Sequence, residues 1–122
     1  MTTLVVGASE NPERYSFRAA HMLKAYGFPF VLFGPRKGEV AGVSIENALP
    51  PKGSVHTTTL YVGPQHQKEL IPALMALEPQ RVIFNPGTEN PDFEDALKKA
   101  GIEFEEACTL VLLQTGQYGN LA

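Results

Sequence analysis

The first glycine turn of the chain is followed by side chains that could hold a phosphate group. After the first apolar run the sequence reads Gly7-Ala8-Ser9, and Arg14 follows a few residues later. A serine hydroxyl, backbone amides and a guanidinium at the start of a helix attract anions, because the helix N-terminus carries partial positive charge. Only the first glycine of the dinucleotide fingerprint G-x-G-x-x-G is present, since Ser9 and Pro12 take the other two places. The loop therefore predicts a phosphate contact but carries no specific NAD signature.

A second cluster of cations follows the next apolar run, at residues 28–33. An enzyme that binds NAD has Asp or Glu about 20 residues beyond the glycine turn, where the carboxylate accepts hydrogen bonds from the ribose hydroxyls. This chain has Pro35, Arg36 and Lys37 instead. Two cations disfavour an unmodified ribose and favour one that carries a phosphate, as in NADP and coenzyme A. The alternative for Arg36 and Lys37 is an exposed basic turn without a ligand.

Residues with catalytic or metal-binding chemistry are scattered along the chain. His21, His56 and His66 lack metal-ligand spacing, and no cysteine or carboxylate cluster surrounds them. The single cysteine, Cys108, is flanked by apolar residues, which favours a small buried side chain over a nucleophile. The sequence therefore predicts no catalytic residue and no metal site.

Alternating strands and helices must position these loops. Short apolar runs that stop at turn residues predict five strands, at residues 3–6, 28–33, 57–62, 81–84 and 102–105. Stretches with apolar residues on one face predict helices at residues 15–26, 65–77, 91–100 and 109–113. Pro72 predicts a kink or a late start in the second of these helices. The alternation predicts an α/β fold: a doubly wound, Rossmann-like parallel sheet of five strands in the order 3-2-1-4-5, with helices on both faces.

Glycine or proline turns end four of the five predicted strands. These turns are Gly7, Gly34-Pro35, Gly63-Pro64 and Asn85-Pro86-Gly87. Ligands of doubly wound sheets bind beyond the carboxyl ends of the strands, where glycine allows close approach to the backbone and proline fixes the loop path. Strand-to-helix turns use such residues in any case, so a purely structural role for each turn stays open. Their recurrence at four strand ends favours a single cleft at that edge.

Length and composition limit the remaining choices. A chain of 122 residues with 43% hydrophobic content predicts one globular domain over residues 1–122. The net charge of −3 argues against a broadly basic surface for nucleic acid. No apolar run approaches the roughly 20 residues of a membrane span, and the start of the chain lacks the pattern of a signal peptide. We therefore expect a cytoplasmic protein with no nucleic-acid or membrane partner, and leave a homodimer or a partner enzyme open.

Four motifs together resemble a known family. They are V-x-G-A-S-x-x-P-x-R at residues 5–14, G-P-R-K-G at 34–38, I-F-N-P-G-T-E-N-P at 83–91 and A-C-T-L-V-L-L-Q-T-G-Q-Y at 107–118. The chain resembles the small stand-alone CoA-binding domain proteins, which are relatives of the CoA-binding domain of the succinyl-CoA synthetase alpha subunit. The resemblance covers nearly the whole chain.

The resemblance implies which residues contact the nucleotide. The glycine-rich loop would contact phosphate, the N-P-K-K-like turn of the synthetase matches Pro35-Arg36-Lys37 with Gly34 in place of asparagine, and its V-P-P turn beside the adenosine is similar to residues 62–64. The predicted cofactor-binding residues are Gly7, Ala8, Ser9, Arg14, Pro35, Arg36, Lys37, Val62, Gly63, Pro64, Asn85, Pro86 and Gly87.

Two function classes follow from the resemblance and the residues. The first is a non-catalytic module that binds coenzyme A or an acyl-CoA in a regulatory or carrier role. The synthetase's catalytic histidine belongs to a second domain, for which we expect no counterpart here. The second class is a small NADP- or CoA-dependent enzyme that completes its site with a partner chain. Binding without turnover favours the first, and turnover with a bell-shaped pH profile favours the second.

Overall fold

A seven-stranded sheet forms the centre of residues 1–119, the part of the chain that this computed structural model describes. The strands are β1 (Thr3–Val6), β2 (Phe30–Phe33), β3 (Gly38–Val40), β4 (Val43–Glu46), β5 (Thr57–Leu60), β6 (Arg81–Phe84) and β7 (Glu103–Glu106). Their order across the sheet is β3-β4-β2-β1-β5-β6-β7, and all neighbours are parallel except β3 and β4. The last three residues of the predicted domain, 120–122, lie outside the described residues.

Helices cover both faces of the sheet. They are α1 (Tyr15–Ala25), α2 (Ile71–Ala76), α3 (Pro91–Ala100) and α4 (Thr109–Gln114). Side chains of α1 and α4 contribute to one hydrophobic core, and those of α2 and α3 contribute to the other. Strand β1 serves both cores, because Leu4 and Val6 face α2 and α3 while Val5 faces α1 and α4. Among residues 1–119, no helix has the length and apolar character needed to cross a bilayer.

The predicted sheet of five strands in the order 3-2-1-4-5 is wrong. Residues 38–46 form an antiparallel hairpin, β3–β4, whose turn at Ala41 and Gly42 has φ values of 54° and 82°. Strand β4 pairs with the outer side of β2, so residues 57–60 pair with β1 instead. The hairpin strands are short and carry glycine and exposed polar residues, so they contain no apolar run that periodicity could detect. Counted without β3, the parallel strands follow the order 3-2-1-4-5-6.

The predicted helix at residues 65–77 is interrupted. A short 3-10 helix, Pro64–His66, precedes a turn, and α2 begins only at Ile71. Pro72 lies in the first turn of α2, where its missing N–H removes no intrahelical hydrogen bond. The proline therefore marks a late start. The other predicted elements agree with the observed ones to within two residues at each end.

Candidate functional site

A cleft of about 870 Å³ opens at the carboxyl edge of the sheet, beyond the ends of β1, β2, β5 and β6. Small-molecule sites have volumes of roughly 300–1,000 Å³, so this cleft has the size of a ligand site. It lies where the order of the parallel strands reverses, between β1 and β5. Doubly wound sheets bind their ligands at this point.

The topology brings nearly all the predicted site residues together. Those that line the cleft are Gly7, Ala8, Ser9, Arg14, Pro35, Arg36, Lys37, Val62, Gly63, Pro86 and Gly87. Pro64 and Asn85 do not line it. Lining residues that the sequence analysis did not single out for the site include Glu10, Tyr15, Ser16, Tyr61, Gln65 and Thr88, with His66 beside them. These residues belong to the same loops as the predicted ones, so their positions in the sequence were a usable signal. Their residue types alone were not, because such residues are common in loops without a ligand.

The first loop is fixed by its own backbone. The N–H groups of Gly7 and Ala8 both donate to the carbonyl oxygen of Phe33, at 2.9 and 3.0 Å. Gly7 has a φ of +94°, and a Cβ at this position would lie 2.9 Å from the carbonyl oxygen of Tyr61. The glycine is therefore required where the loops after β1 and β5 touch. Both amides are therefore engaged within the protein in this structure.

The N-terminus of α1 opens into the cleft without a side-chain cap. Arg14 is the N-cap residue and its side chain makes no capping hydrogen bond; the first turn contains no acidic residue. Within residues 1–119, the N–H groups of Tyr15 and Ser16 have no backbone acceptor. Helix α3 differs, because Asn90 Oδ1 accepts a hydrogen bond from the N–H of Phe93 at 3.3 Å. Helix α1 therefore presents free donors and its positive end to the cleft, which is an anion-binding arrangement.

The basic turn supplies further positive charge. Arg36 and Lys37 are exposed and lie in the turn that follows β2. Strands β2 and β5 flank β1, so this turn and the loop after β5 lie on opposite sides of the first loop. The ion pairs within residues 1–119 are Lys52–Glu78, Arg81–Glu105 and Lys99–Asp95. The cleft cations Arg14, Arg36 and Lys37 thus have no ion-pair partner in the described part of the chain. Glu10 is the one carboxylate among the described lining residues. The cleft is positive although the whole chain has a net charge of −3, and it attracts anionic ligands.

The start of the basic turn is packed against the first loop. The N–H of Gly34 donates to the carbonyl oxygen of Glu46 at 3.0 Å. A Cβ at Gly34 would lie 2.6 Å from the carbonyl oxygen of Ala8, so this backbone leaves no room for a side chain. The close contact explains why the start of the turn requires glycine. The first loop and the basic turn are thereby held side by side.

A buried glutamine joins the loops on the other side of the cleft. The side-chain amide of Gln67 donates to the carbonyl oxygens of Val62 and Thr88, both at 2.8 Å. Its Oε1 accepts a hydrogen bond from Asn90 Nδ2 at 3.0 Å. Gln67 thus fixes the loop after β5 against the loop after β6. The partners of Gln67 are distant in the sequence, so no local sequence pattern predicts that this glutamine is buried.

Asn85 forms hydrogen bonds that hold together the elements next to the cleft. Its side-chain amide donates to Thr59 Oγ1 at 2.7 Å and to the carbonyl oxygen of Leu60 at 2.8 Å. Its Oδ1 accepts from the N–H of Thr109 at 2.9 Å. The side chain is buried and its hydrogen-bonding groups are engaged within the protein. Asn85 therefore connects β5, β6 and α4, and we do not assign it a ligand contact.

The titratable groups near the cleft do not form a catalytic arrangement in the described residues. Burial raises the pKa of the Tyr61 hydroxyl above its ordinary value, so this group is a poor general base at neutral pH. Cys108 is half-buried at the start of α4 and does not line the cleft, whereas His66 is exposed at its edge. Within residues 1–119, no three His, Cys, Asp or Glu side chains are grouped closely enough to hold a metal ion. The groups that converge on the cleft are hydrogen-bond donors and cations.

Comparisons with known proteins agree with this geometry. A family described as CoA binding domain matches residues 1–114. A crystal structure of an uncharacterized protein is 45% identical, with a TM-score of 0.91, over 95% of this chain and 96% of that one. A protein from Thermus thermophilus is 27% identical, with a TM-score of 0.84, over 95% of this chain and 89% of that one. A conserved hypothetical protein from Pyrococcus furiosus is 25% identical, with a TM-score of 0.77, over 90% and 97%. The comparison with curated proteins found no match.

Proposed function

The chain belongs to the CoA-binding domain family, and from this premise we propose that its cleft binds coenzyme A or an acyl-CoA. Coenzyme A carries two separate anionic groups: a diphosphate in the middle of the molecule, and a phosphate on the 3′-oxygen of the adenosine ribose. A site for this ligand therefore needs two anion-binding regions close together. The cations that line the cleft lie on two neighbouring loops, which supports the proposal.

The observation that carries the proposal is the placement of free donors and unpaired cations around one cavity. The uncapped start of α1, with Arg14, offers a site for the diphosphate. Arg36 and Lys37 lie on the next loop of the same cleft and offer a site for the 3′-phosphate. Each region supplies cationic donors, whose hydrogen bonds to anions are stronger than those between neutral groups.

We assign the remaining lining residues by their position relative to these two regions. Ser9 would contact the diphosphate with its hydroxyl, next to the closely packed backbone of Gly7 and Ala8. Pro35 would shape the turn that carries the two cations. The loop after β5, with Val62, Gly63 and the neighbouring Pro64, would line the adenosine, and Pro86 and Gly87 would bound the cleft on the side of β6.

We propose a binding role, regulatory or as a carrier, for this module. Its lining side chains are suited to holding phosphate and ribose rather than to activating a nucleophile, since guanidinium and ammonium groups are hydrogen-bond donors without an acceptor atom. The chemistry that an acyl-CoA offers lies at its thioester. No pair of an acid and a base among the described lining residues is hydrogen-bonded in a way that would act there.

Calorimetric titration with coenzyme A, acetyl-CoA and NADP tests the proposal. We expect CoA and acetyl-CoA to bind with similar affinity, because the assigned residues contact the nucleotide end. NADP carries its phosphate on the neighbouring ribose oxygen, so we expect about tenfold weaker binding, the value of losing one well-placed hydrogen bond to a charged group.

Tighter binding of NADP than of CoA would overturn the assignment and favour a dehydrogenase-like enzyme. Turnover of an acyl-CoA with a bell-shaped pH profile would refute the non-catalytic role while leaving the CoA site intact.

A further inference from the structure

The carboxylate of Glu10 connects the first loop to the segment that follows the basic turn. Glu10 belongs to the first loop, yet its Oε2 accepts a hydrogen bond from the backbone N–H of Glu39 at 2.9 Å. Glu39 is the second residue of β3, immediately beyond the basic turn. The residue before it, Gly38, lies against the Glu10 side chain so closely that a Cβ would overlap the carboxylate. The contact therefore depends on a glycine at this position.

This placement is unusual for an acidic residue in a positive cleft. Glu10 lines the cavity with Arg14, Arg36 and Lys37, but it forms an ion pair with none of them in the described part of the chain. Its contact is a charge-assisted hydrogen bond to a backbone amide, a type stronger than a neutral one. The side chain thus connects two segments of backbone, and its effect is on the position of the turn that carries the cations.

The basic turn is attached to the rest of the protein at both ends. At its start, the N–H of Gly34 donates to the carbonyl oxygen of Glu46, which is on β4. At its end, β3 pairs with β4, and the N–H of Glu39 donates to Glu10 of the first loop. Between these two attachments, Arg36 and Lys37 are exposed and form no ion pair within residues 1–119. Without the Glu10 contact, the end of the turn would be held by the pairing of β3 with β4 alone and would lose its hydrogen bond to the first loop.

We propose that Glu10 is a positioning residue that sets the preference of the cleft for a ribose bearing a phosphate. It holds the end of the basic turn against the first loop, so that the turn's cations and the start of α1 face the same ligand at a fixed spacing. The inference rests on the proposed function, because it concerns how the same cleft reads the 3′-phosphate of coenzyme A.

The test separates the hydrogen bond from the charge by comparing two substitutions. Glu10→Gln keeps an oxygen that accepts from the Glu39 N–H, and Glu10→Ala removes it; both remove the negative charge. The readout is the ratio of the affinities for CoA and dephospho-CoA, measured by calorimetry. We expect Glu10→Gln to keep the wild-type ratio or to raise it, because a carboxylate near the phosphate is gone. We expect the ratio for Glu10→Ala to be about threefold to tenfold lower than for Glu10→Gln, the equivalent of one modest hydrogen bond.

Gly38→Ala provides the reciprocal substitution from the other side of the contact. Its Cβ should displace the carboxylate, so this variant should lower the ratio as much as Glu10→Ala does. The double variant should show no further loss, because both changes break one interaction. Glu13→Ala is the matched control: it removes an exposed carboxylate from the same loop that does not line the cleft, and it should leave the ratio unchanged.

The outcomes distinguish this inference from the proposed function. If the wild-type protein does not prefer CoA to dephospho-CoA, the phosphate-reading site and the role of Glu10 are both refuted. If the wild-type protein has the preference and Glu10→Ala keeps it, only the positioning role is refuted. Equal losses for Glu10→Gln and Glu10→Ala, with unchanged thermal unfolding midpoints, would show that charge matters rather than the hydrogen bond, and would also overturn the inference.

Discussion

Replacing both Arg36 and Lys37 with alanine should remove most of the protein's preference for CoA over dephospho-CoA. The two ligands differ only in the 3′-phosphate, so their affinity ratio isolates the contact made by that group. A hydrogen bond to a charged group contributes about 1.5–3 kcal/mol, and each 1.4 kcal/mol is about tenfold in affinity. We therefore expect a wild-type preference of about tenfold to hundredfold, toward the lower end because solvent and salt screen this exposed turn. The double variant should bind dephospho-CoA almost as the wild-type protein does.

A matched control for this prediction lies on the far end of α3. Replacing Lys98 and Lys99 with alanine changes the net charge by the same amount at residues that do not line the cleft. That variant should keep the full preference, whereas a general electrostatic attraction would weaken CoA binding equally in both variants. The phosphate-reading role of the basic turn is refuted if the double alanine variant at Arg36 and Lys37 retains the wild-type ratio.

Two glycines with nearly the same backbone angle should respond very differently to alanine. Gly7 and Gly87 have φ values of 94° and 92°, a region that costs an alanine about 1–2 kcal/mol. A Cβ at Gly87 has no atom within 4 Å, but one at Gly7 would lie 2.9 Å from the carbonyl oxygen of Tyr61 and from Val62 Cγ2. Overpacking typically adds about 1–3 kcal/mol, so Gly7→Ala should lower the free energy of unfolding by about 2–5 kcal/mol.

Urea denaturation of the two glycine variants checks this expectation. Gly87→Ala should lower the free energy of unfolding by about 1–2 kcal/mol, and the dependence of that free energy on urea concentration should keep its slope. The difference between the two variants measures the contact between the loops after β1 and β5, because the backbone strain is common to both. Equal destabilisation would mean that these loops are not packed as the structure has them, and the geometry of the cleft would have to be revised.

The parts of the fold that follow from local chemistry could be read from the sequence. β1 is a short, fully buried run that stops at Gly7, and α3 lies between Pro91 at its start and Gly101, with a φ of 73°, at its end. These signals depend on neighbouring residues only. The hairpin β3–β4 has no such signal, because its strands are short and polar. The predicted strand order is wrong for this reason: β4 occupies the place beside β2 that the prediction gave to residues 57–62.

The candidate site likewise has a part that the sequence predicts and a part that it does not. Glycine, proline and basic residues at strand ends placed the loops of the cleft correctly, because the carboxyl ends of parallel strands meet at one edge. The connections between those loops could not be predicted. Gln67 and Asn85 are buried polar side chains whose partners come from other loops and strands, and Glu10 reaches a backbone amide 29 positions away. Such contacts exist only once the chain has folded.

A crystal structure of the protein with coenzyme A bound would show directly which residues contact the ligand. We predict that CoA occupies the cleft formed by the loops after β1, β2, β5 and β6. Its diphosphate should lie within hydrogen-bonding distance of Arg14 or the first amides of α1, and its 3′-phosphate should contact Arg36 or Lys37. Coenzyme A bound outside this cleft, or with its 3′-phosphate away from the basic turn, would refute the proposed site.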